Sequence, residues 1–375
     1  MKKILRAFLG LLALYVAWLA YVTLSYRPYR GGHGATAGRD ALEIEGVYHL
    51  HTKYSDGRGT VQELAHDAAL EKIDFLIVTD HGSPNFASLR DQGFKDGVLV
   101  LAGSELSVNR GHLVGLGFRT PTGDFSQRAE EAVPEIQAQG GFAVIAHPYS
   151  KVRWLWGDSS VYSGLEIINA DTMFKDNIGR VLPYLPLLLV RSRIPLIRML
   201  EQPEINLKKW DQRSATAPLY GYFSADAHLY YRAILSLLHL HVLLDEPLSG
   251  DFDKAAGQVY GALRTGRFFN AIEAVAEARG FRFTAAGRGQ TWRMGDTVRG
   301  GTAGLRIEVQ APFPFAKEIR LFRDGRLLAA SRENVLTAEA QGPGVYRVEV
   351  YLRARSPLGK DIPWIVSNPI FLRKD

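Results

Sequence analysis

The sequence contains no cysteine among its 375 residues. Disulfide bonds and thiolate metal ligands are therefore excluded, whereas the compartment stays open because many exported proteins also lack cysteine. Lysines and arginines form no run of the kind that marks a nucleic-acid-binding arm, and the formal net charge of +6 is spread along the chain. A nucleic-acid-binding arm is not expected from this pattern. A mild preference for anionic substrates or lipid headgroups is compatible with it.

Charge is absent from Ala7 to Tyr26, directly after a basic N-terminus. This stretch is long enough to cross a bilayer as one helix. A cleaved signal peptide is the alternative, but it requires small residues at −3 and −1, and Trp18 would occupy −3 if Ala20 were −1. The sequence favours an uncleaved, single-pass anchor with a cytoplasmic N-terminus. The remainder of the protein is then expected on the extracytoplasmic side of the inner membrane.

After the anchor (1–26), the chain divides into three parts that differ in composition and residue pattern. Glycine and small residues dominate 27–43, which we interpret as a linker. From 44 to 278, strand-like runs alternate with helical segments, which predicts an α/β fold with a largely parallel sheet. The alternation alone does not distinguish a β/α barrel from a doubly wound sheet. After that, short alternating runs and turns predict a small β-sandwich over 279–375, serving as a structural appendage or as a binding module.

Residues 178–210 interrupt the alternation with many apolar residues, several prolines and interspersed arginines. One interpretation is a helical insertion packed on the α/β domain. The other is an interfacial segment that lays the domain on the membrane, with its arginines toward anionic headgroups. The sequence leaves both open.

Histidine and acidic residues recur at or just after the ends of the strand-like runs. The blocks that contain most of them are HLHTKYSDG, FLIVTDHG, AGSELS, FAVIAHPY and FSADAH. Imidazole nitrogens and carboxylate oxygens bind zinc, manganese and iron. So many of them, without cysteine, indicate a multinuclear hydrolytic centre rather than a structural one. The candidate metal ligands are His49, His51, Asp56, His81, Glu105, His112, His147, Asp226 and His228.

In their order and content, these blocks resemble the PHP family, named for DNA polymerase and histidinol phosphatase, over residues 44–275. The resemblance implies a distorted (β/α)7 barrel and two or three divalent metal ions, zinc, manganese or iron. The terminal run WIVSNPIF also resembles exported PHP proteins, including the carbaryl-hydrolase-like group. The resemblance implies that one metal is held by His49, His51, Glu105 and Asp226, a second by Asp56, His81 and His228, and a third by His112 and His147 with Glu105 as a bridge.

Other polar residues are assigned roles around this centre. Asp80 directly precedes His81 and is expected to orient a ligand from behind. Asn169, at a strand end, is expected to line the pocket, whereas Glu166 is expected to point away. Cations near the mouth would bind remaining phosphate charge. The candidates are Arg58, Arg110, Lys151, Arg153 and Arg232, with Arg110 and Arg232 favoured.

A second HxH pair, His239 and His241, lies after the last family block and has no carboxylate-rich continuation. We interpret it as structural.

The sequence thus predicts a membrane-anchored, metal-dependent phosphoesterase that hydrolyses a phosphomonoester or small phosphodiester with metal-activated water. Its partners would be a small anionic substrate and the membrane, without nucleic acid. One alternative keeps the centre and changes the bond to a carboxylic or carbamic ester or an amide. The other is a binding protein whose metals only stabilise the fold.

Overall fold

The computed structural model describes residues 1–29, 42–118, 123–148, 155–157, 162–300, 304–312, 317–353, 358–359 and 361–374. Most of the predicted linker, and two of the candidate cations, Lys151 and Arg153, lie outside the described residues.

The helices that the structure describes lie before residue 265. They are α1 (Lys2–Ser25), α2 (Val61–Leu70), α3 (Phe86–Arg90), α4 (Ala129–Ala138), α5 (Ala170–Asp176), α6 (Ile178–Val181), a 3-10 helix (Leu182–Leu188), α7 (Arg193–Met199), α8 (Glu204–Ser214), α9 (Tyr231–Leu235) and α10 (Phe252–Arg264).

Strands alternate with these helices and continue alone toward the C-terminus. Up to residue 271 they are β1 (Glu43–Leu50), β2 (Phe75–Val78), β3 (Gly93–Lys95), β4 (Val98–Ala102), β5 (Ser104–Val108), β6 (Gly111–Leu116), β7 (Phe142–Ile145), β8 (Gly164–Asn169), β9 (Tyr220–Ser224), β10 (His239–Leu243) and β11 (Phe268–Ala271). The later strands are β12 (Arg282–Gly287), β13 (Gln290–Arg293), β14 (Thr297–Val298), β15 (Arg306–Gln310), β16 (Lys317–Arg323), β17 (Arg326–Ser331), β18 (Val335–Glu339), β19 (Gly344–Leu352), β20 (Ile365–Ser367) and β21 (Ile370–Leu372).

Parallel and antiparallel pairing are mixed in the first part of the fold, so the largely parallel sheet that the sequence predicted is not confirmed. β1, β2 and β4 pair in parallel, and so do β7, β8 and β9. β2 is buried at every position, as expected for a strand covered on both faces. Antiparallel β10 and β11 continue the first sheet on the other side of β1. The mixed α/β fold is confirmed.

The predicted closed (β/α)7 barrel is not confirmed, because strand pairing in the described residues leaves β1–β4 and β5–β9 in separate sheets. The sheets approach each other at isolated parallel bridges, Leu50 with Ala227 and His81 with Glu105. Regular pairing between β-strands therefore ends where the histidine and acidic blocks begin. The strand ends that carry these blocks are brought to one place.

The strands after residue 279 form two layers. β13, β12, β15 and β18 make one sheet, and β16, β17 and β19–β21 belong to the large sheet of β1. Buried residues of both layers, such as Ile307 and Leu321, belong to one hydrophobic cluster. Because β20 pairs with β11, a single sheet crosses the predicted boundary at residue 278. The separate β-sandwich and the domain boundaries stay predictions.

The N-terminal helix α1 is long and apolar enough to span a membrane, a property that a signal sequence would share. Its C-terminal half is not isolated from the domain. Leu19 and Val22 are buried against Leu187 and Ile194 of the segment that interrupts the alternation. Directly after α1, the hydroxyl of Tyr26 donates a hydrogen bond to the carbonyl of Ala274 at 2.5 Å.

That segment is helical, as one interpretation of residues 178–210 predicted. It comprises α6, the 3-10 helix, α7 and most of α8, and its α7 packs against α5 and α9 of the domain. The same segment also contacts α1. The two interpretations offered by the sequence are therefore compatible with each other.

Candidate metal centre

The most buried part of the candidate metal centre contains four of the predicted ligands. His49 Nε2, His51 Nε2 and Glu105 Oε2 lie 3.1 Å from one another. Asp226 Oδ1 lies 3.2 Å from Nε2 of His51 and 3.6 Å from Nε2 of His49. Ligand atoms about 2.1 Å from a tetrahedral metal are about 3.4 Å apart. These four residues, which we call the inner group, therefore fit one divalent metal.

A more open set of donors, which we call the outer group, lies next to the inner group. Asp56 Oδ2 is 3.3 Å from His228 Nε2 and 3.6 Å from His81 Nε2. The side chain of Asp56 is 54% exposed, so solvent and substrate can reach this group. His51 connects both groups, because its Nδ1 lies 3.5 Å from Asp56 Oδ1.

The third set surrounds the other oxygen of Glu105. Oε1 of Glu105 lies 2.7 Å from His112 Nδ1 and 3.0 Å from His147 Nε2, and these nitrogens are 3.2 Å apart. Glu105 thus turns one oxygen to the inner group and one to this histidine pair. The geometry agrees with the bridging role that the family resemblance implied for Glu105. The predicted ligands thus all lie in one cluster.

Hydrogen-bond partners fix the histidine rings from behind. Glu166 Oε1 lies 2.5 Å from Nδ1 of His49, which leaves Nε2 of His49 for the inner group. Nδ1 of His228 lies 3.0 Å from the carbonyl oxygen of Asp226, so its Nε2 faces Asp56. Carboxylates and carbonyls in these positions set the tautomer of metal-binding histidines.

The expectation that Glu166 points away is wrong. Strict alternation along β8 would place Glu166 and Asn169 on opposite faces, but the β8–β9 register shifts between Glu166 and Ile168. This irregularity turns both side chains inward. Asn169 lies against the centre as expected, and its amide donates to Glu166 at 2.8 Å and to Asp226 at 3.0 Å.

Asp80 is buried and acts on the loop after His51 rather than on His81. Its carboxylate accepts hydrogen bonds from the amide of Thr52 at 2.7 Å, the hydroxyl of Thr52 at 2.7 Å and the hydroxyl of Ser55 at 2.6 Å. Ser55 Oγ in turn lies 3.4 Å from Nδ1 of His51. Asp80 therefore positions the segment that carries His51 and Asp56.

The favoured arginines do not reach the ligand cluster. The guanidinium of Arg232 pairs with Glu71 at 3.1 Å, because α9 turns this side chain toward α2. Arg110 donates to the carbonyl of Leu155 at 3.3 Å. Arg58 contributes its backbone amide, which donates to the carbonyl of His228 at 2.9 Å.

A cation that the sequence interpretation missed lies on α5. Lys175 pairs with Asp171 one turn earlier on the helix. Partial burial lowers the pKa of Lys175, but Asp171, Asp226 and Asp56 outweigh burial and raise it. Lys175 is therefore a protonated group that pairs with Asp171 and interacts electrostatically with the ligands Asp226 and Asp56. Its position on the helix that follows Asn169 was the signal available in the sequence.

In the inner group, the histidines and the carboxylates stabilise each other's charged forms. Burial lowers the pKa of His49, but Glu166, Asp226 and Glu105 overcome this and raise it well above the usual value. The pKa of His51 rises to about 9, because hydrogen bonds to Asp226 and Glu105 outweigh its burial. Burial raises the pKa of Glu105, but His49, His112 and His147 outweigh this and hold it well below its usual value. The donors thus form a compensated set in which metal binding would replace protons.

Three of the predicted ligands have an unusual backbone conformation. His49, His147 and Asp226 have φ angles of 69°, 24° and 45°, in the left-handed region that side chains with a Cβ rarely adopt. Such strain persists where the surrounding structure imposes it, and it concentrates at functional sites.

The second HxH pair is part of a buried ionic network. Its structural interpretation stays a prediction, because Glu45, His239, His241 and Glu273 also lie close enough together to hold a metal ion. Nδ1 of His241 lies 3.0 Å from Glu43, and its Nε2 lies 3.0 Å from Glu273. His239 lies 3.2 Å from Glu45, which also pairs with Arg279 at 2.7 Å.

No family model matches the chain. A curated relative, an uncharacterized protein of Methanocaldococcus jannaschii, is 30% identical over 138 residues, which span 32% of this chain and 80% of that protein. The chain belongs to the same family as this archaeal protein. The ligand blocks that resemble those of the PHP family converge in one cluster in this structure. The carbaryl-hydrolase-like subgroup stays a prediction.

Three solved structures are similar over part or most of the chain. A two-domain protein from Bacteroides vulgatus, containing a predicted PHP-like metal-dependent phosphoesterase, is 14% identical with a TM-score of 0.48 and covers 92% of this chain and 100% of its own. A putative metal-dependent phosphoesterase from Bifidobacterium adolescentis is 13% identical with a TM-score of 0.35, covering 57% and 95%. An amidohydrolase from Chromobacterium violaceum is 18% identical with a TM-score of 0.32, covering 49% and 87%.

Proposed function

We propose that this protein is a membrane-anchored, metal-dependent phosphoesterase acting on a phosphomonoester or small phosphodiester. The observation that carries the proposal is the contact between a buried inner group and an exposed outer group of donors through His51. Adjacent sites of this kind suit phosphoester hydrolysis. Two or three divalent metals, zinc, manganese or iron, would supply a water of lowered pKa and positive charge toward a phosphoryl oxygen.

The residues of the chain divide the remaining work. Glu166 holds His49 in the tautomer that binds, and Asp80 holds the loop that presents Asp56. The open position of Asp56 leaves room for a substrate beside the outer group. We assign Lys175, which pairs with Asp171 and interacts electrostatically with Asp226 and Asp56, as a cation for an anionic substrate.

The proposal includes an uncleaved α1 and a domain outside the cytoplasmic membrane. Its support is the packing of Leu19 and Val22 against the domain, because cleavage after Ala20 would remove Leu19 from this contact. A PHP-type seven-stranded barrel, distorted at the two bridges, is the fold that we propose for the centre.

A carbonyl ester or amide hydrolase on the same centre is the second candidate. One observation favours it: Arg110 and Arg232 contact other groups instead of the centre, so a guanidinium clamp for a phosphate is not formed by them. A carbonyl substrate does not need such a clamp.

The test uses the full-length protein, purified in detergent without chelator and supplied with zinc, manganese or iron. We compare the turnover of three substrates: p-nitrophenyl phosphate, bis(p-nitrophenyl) phosphate and 1-naphthyl acetate. The proteins are wild type, a His49→Ala/His51→Ala variant and a His66→Ala control. His66 is exposed on α2. We expect phosphoester turnover in wild type and control and its loss in the double variant. Turnover of the naphthyl ester alone would support the second candidate, and cellular function of the metal-free double variant would support a binding protein.

A further inference from the structure

An apolar pocket opens directly beside the metal centre. It has a volume of about 140 Å³, and two ligands, Asp226 and His228, form part of its wall. The rest of the wall is mainly apolar, with Phe174 from α5, Leu196 and Met199 from α7 and Ile234 from α9. It also includes three polar residues, Asp171, Ser192 and Tyr230. An apolar cavity of roughly 150 Å³ holds a group the size of benzene. The pocket therefore suits an alkyl or aryl part of a substrate close to the bond that is hydrolysed.

The same inserted helices that build this wall contact the membrane helix. The hydroxyl of Tyr15 donates to the carbonyl of Pro183 at 2.9 Å, and the rings of Trp18 and Tyr184 lie 5.0 Å apart. At the end of the 3-10 helix, Leu189 is 85% and Val190 70% exposed. Paired exposed apolar residues next to interfacial aromatic side chains are typical of a surface that enters a bilayer.

The geometry of α1 sets the depth of this contact. If Ala7 to Tyr26 fill a hydrocarbon layer of about 30 Å, Leu19 lies about 10 Å and Tyr15 about 16 Å before the end of the span. Both residues contact the insertion. The insertion would therefore reach from the domain side to about the middle of the bilayer.

A second cleft lies next to the pocket and shares part of its lining. It has a volume of about 580 Å³ and extends from Tyr26, at the end of α1, along Leu189 and Val190. Leu188, Ser192, Tyr230 and Ala233 line both the cleft and the pocket. Charged residues line the rest of the cleft, namely Asp67, Glu71, Arg191, Arg193 and Arg232. An alkyl chain would therefore follow the side formed by Leu188, Leu189 and Val190 between the bilayer end of α1 and the wall formed by Asp226 and His228.

We propose that the substrate is a membrane-resident amphiphile, a phosphoester whose alkyl chain occupies the cleft and pocket while its phosphate reaches the metal centre. This substrate class rests on the proposed phosphoesterase function. The insertion then serves two purposes, since it seats the domain in the bilayer and forms the wall that receives the chain.

The experiment measures the release of p-nitrophenol from phosphodiesters whose second alcohol is methanol, octanol or octadecanol. In each reaction water adds to phosphorus, the bond to the p-nitrophenyl oxygen breaks, and an alkyl phosphate and p-nitrophenol leave. With full-length protein in mixed micelles, we expect kcat/KM to be about tenfold or more higher for the octyl than for the methyl ester, because each buried methylene favours binding. Equal values would overturn the inference while leaving the proposed function intact. No turnover of any of these esters would overturn both.

Two variants place a charge in the route, Phe174→Glu and Leu188→Glu, both at half-buried positions. Each should lower the octyl-to-methyl ratio of kcat/KM about tenfold, whereas Leu327→Glu, an exposed leucine on β17, should leave the ratio unchanged. Bound metal per chain is measured in parallel as a check on the fold. An unchanged ratio in both pocket variants would contradict the assignment of this pocket.

The source of the chain is tested with protein reconstituted in vesicles. The octadecyl ester is placed either in the same vesicles or in separate ones. Initial rates should be at least about tenfold higher when enzyme and ester share a membrane. Equal rates would show that the substrate enters from water and would overturn the bilayer route.

Discussion

Glu166 and His49 form a buried pair in which the carboxylate Oε1 lies 2.5 Å from Nδ1, on the opposite side of the imidazole from the inner group. The other carboxylate oxygen of Glu166 accepts a hydrogen bond from the backbone amide of His147 at 2.7 Å. One carboxylate therefore fixes a ring in the inner group and the backbone of a ligand in the third set. It couples the two parts of the centre without being a ligand itself.

Replacing Glu166 by glutamine keeps the shape of the side chain and removes its charge. We expect metal affinity to fall about 10- to 100-fold, because a carboxylate behind a ligating histidine orients the ring and increases its basicity. Titration of the metal-free protein with zinc measures this directly. A Glu130→Gln variant at an exposed position is the control. Equal affinities in wild type and Glu166→Gln would contradict the role of Glu166.

Glu105 contacts both the inner group and the histidine pair, so its loss should affect two metals, whereas loss of His112 should affect one. After dialysis, we expect Glu105→Ala to hold about two fewer metals per chain than wild type, and His112→Ala about one fewer. Plasma mass spectrometry gives the numbers. The same loss in both variants would exclude the bridging arrangement.

Asp80 accepts three hydrogen bonds, and asparagine in its place has only one oxygen to receive them. We expect Asp80→Asn to lower the free energy of unfolding by about 1–3 kcal/mol, since buried donors of Thr52 are left without an acceptor. Thermal unfolding of the full-length protein checks this, with the exposed Asp361→Asn as control. A stability change as small as that of the control would show that Asp80 does not hold the loop.

His241 makes stability depend on pH. Burial lowers the pKa of His241, but Glu45, Glu273 and Glu43 outweigh it and raise the pKa from 6.5 to about 10. Because the folded-state pKa is the higher one, the stabilisation is complete below pH 6.5 and is lost as the pH rises toward 10. We expect the difference in unfolding free energy between wild type and His241→Gln to shrink over this window.

The measurement is denaturant unfolding of both proteins at several pH values, with His66→Gln as an exposed control. Arg279 and Arg282 pair with Glu45 and Glu43, two of the acids around His241. Both arginines stay charged across this pH range. A constant difference between wild type and His241→Gln would mean that His241 is not protonated in the folded protein.

Much of the centre could be predicted because ligand chemistry is a property of residue type. Histidines and carboxylates directly after apolar strand runs, such as His51 and His81, predict a metal site wherever parallel strands end together. The alternation of strands and helices likewise sufficed for the α/β class, and the uncharged run after the N-terminus for one long apolar helix.

The remaining features depend on contacts between distant segments. Glu166 faces inward because the β8–β9 register shifts beside it, and residue spacing alone contains no sign of that shift. Arg232 is close in sequence to His228, yet α9 directs it to Glu71, more than 150 residues away along the chain. The apolar pocket exists only where α5, α7 and α9 meet the loop of Asp226. The sequence by itself determined which groups can bind metal, since that follows from side-chain chemistry; the tertiary structure decided which groups orient them and what lies beside them, since packing sets side-chain direction.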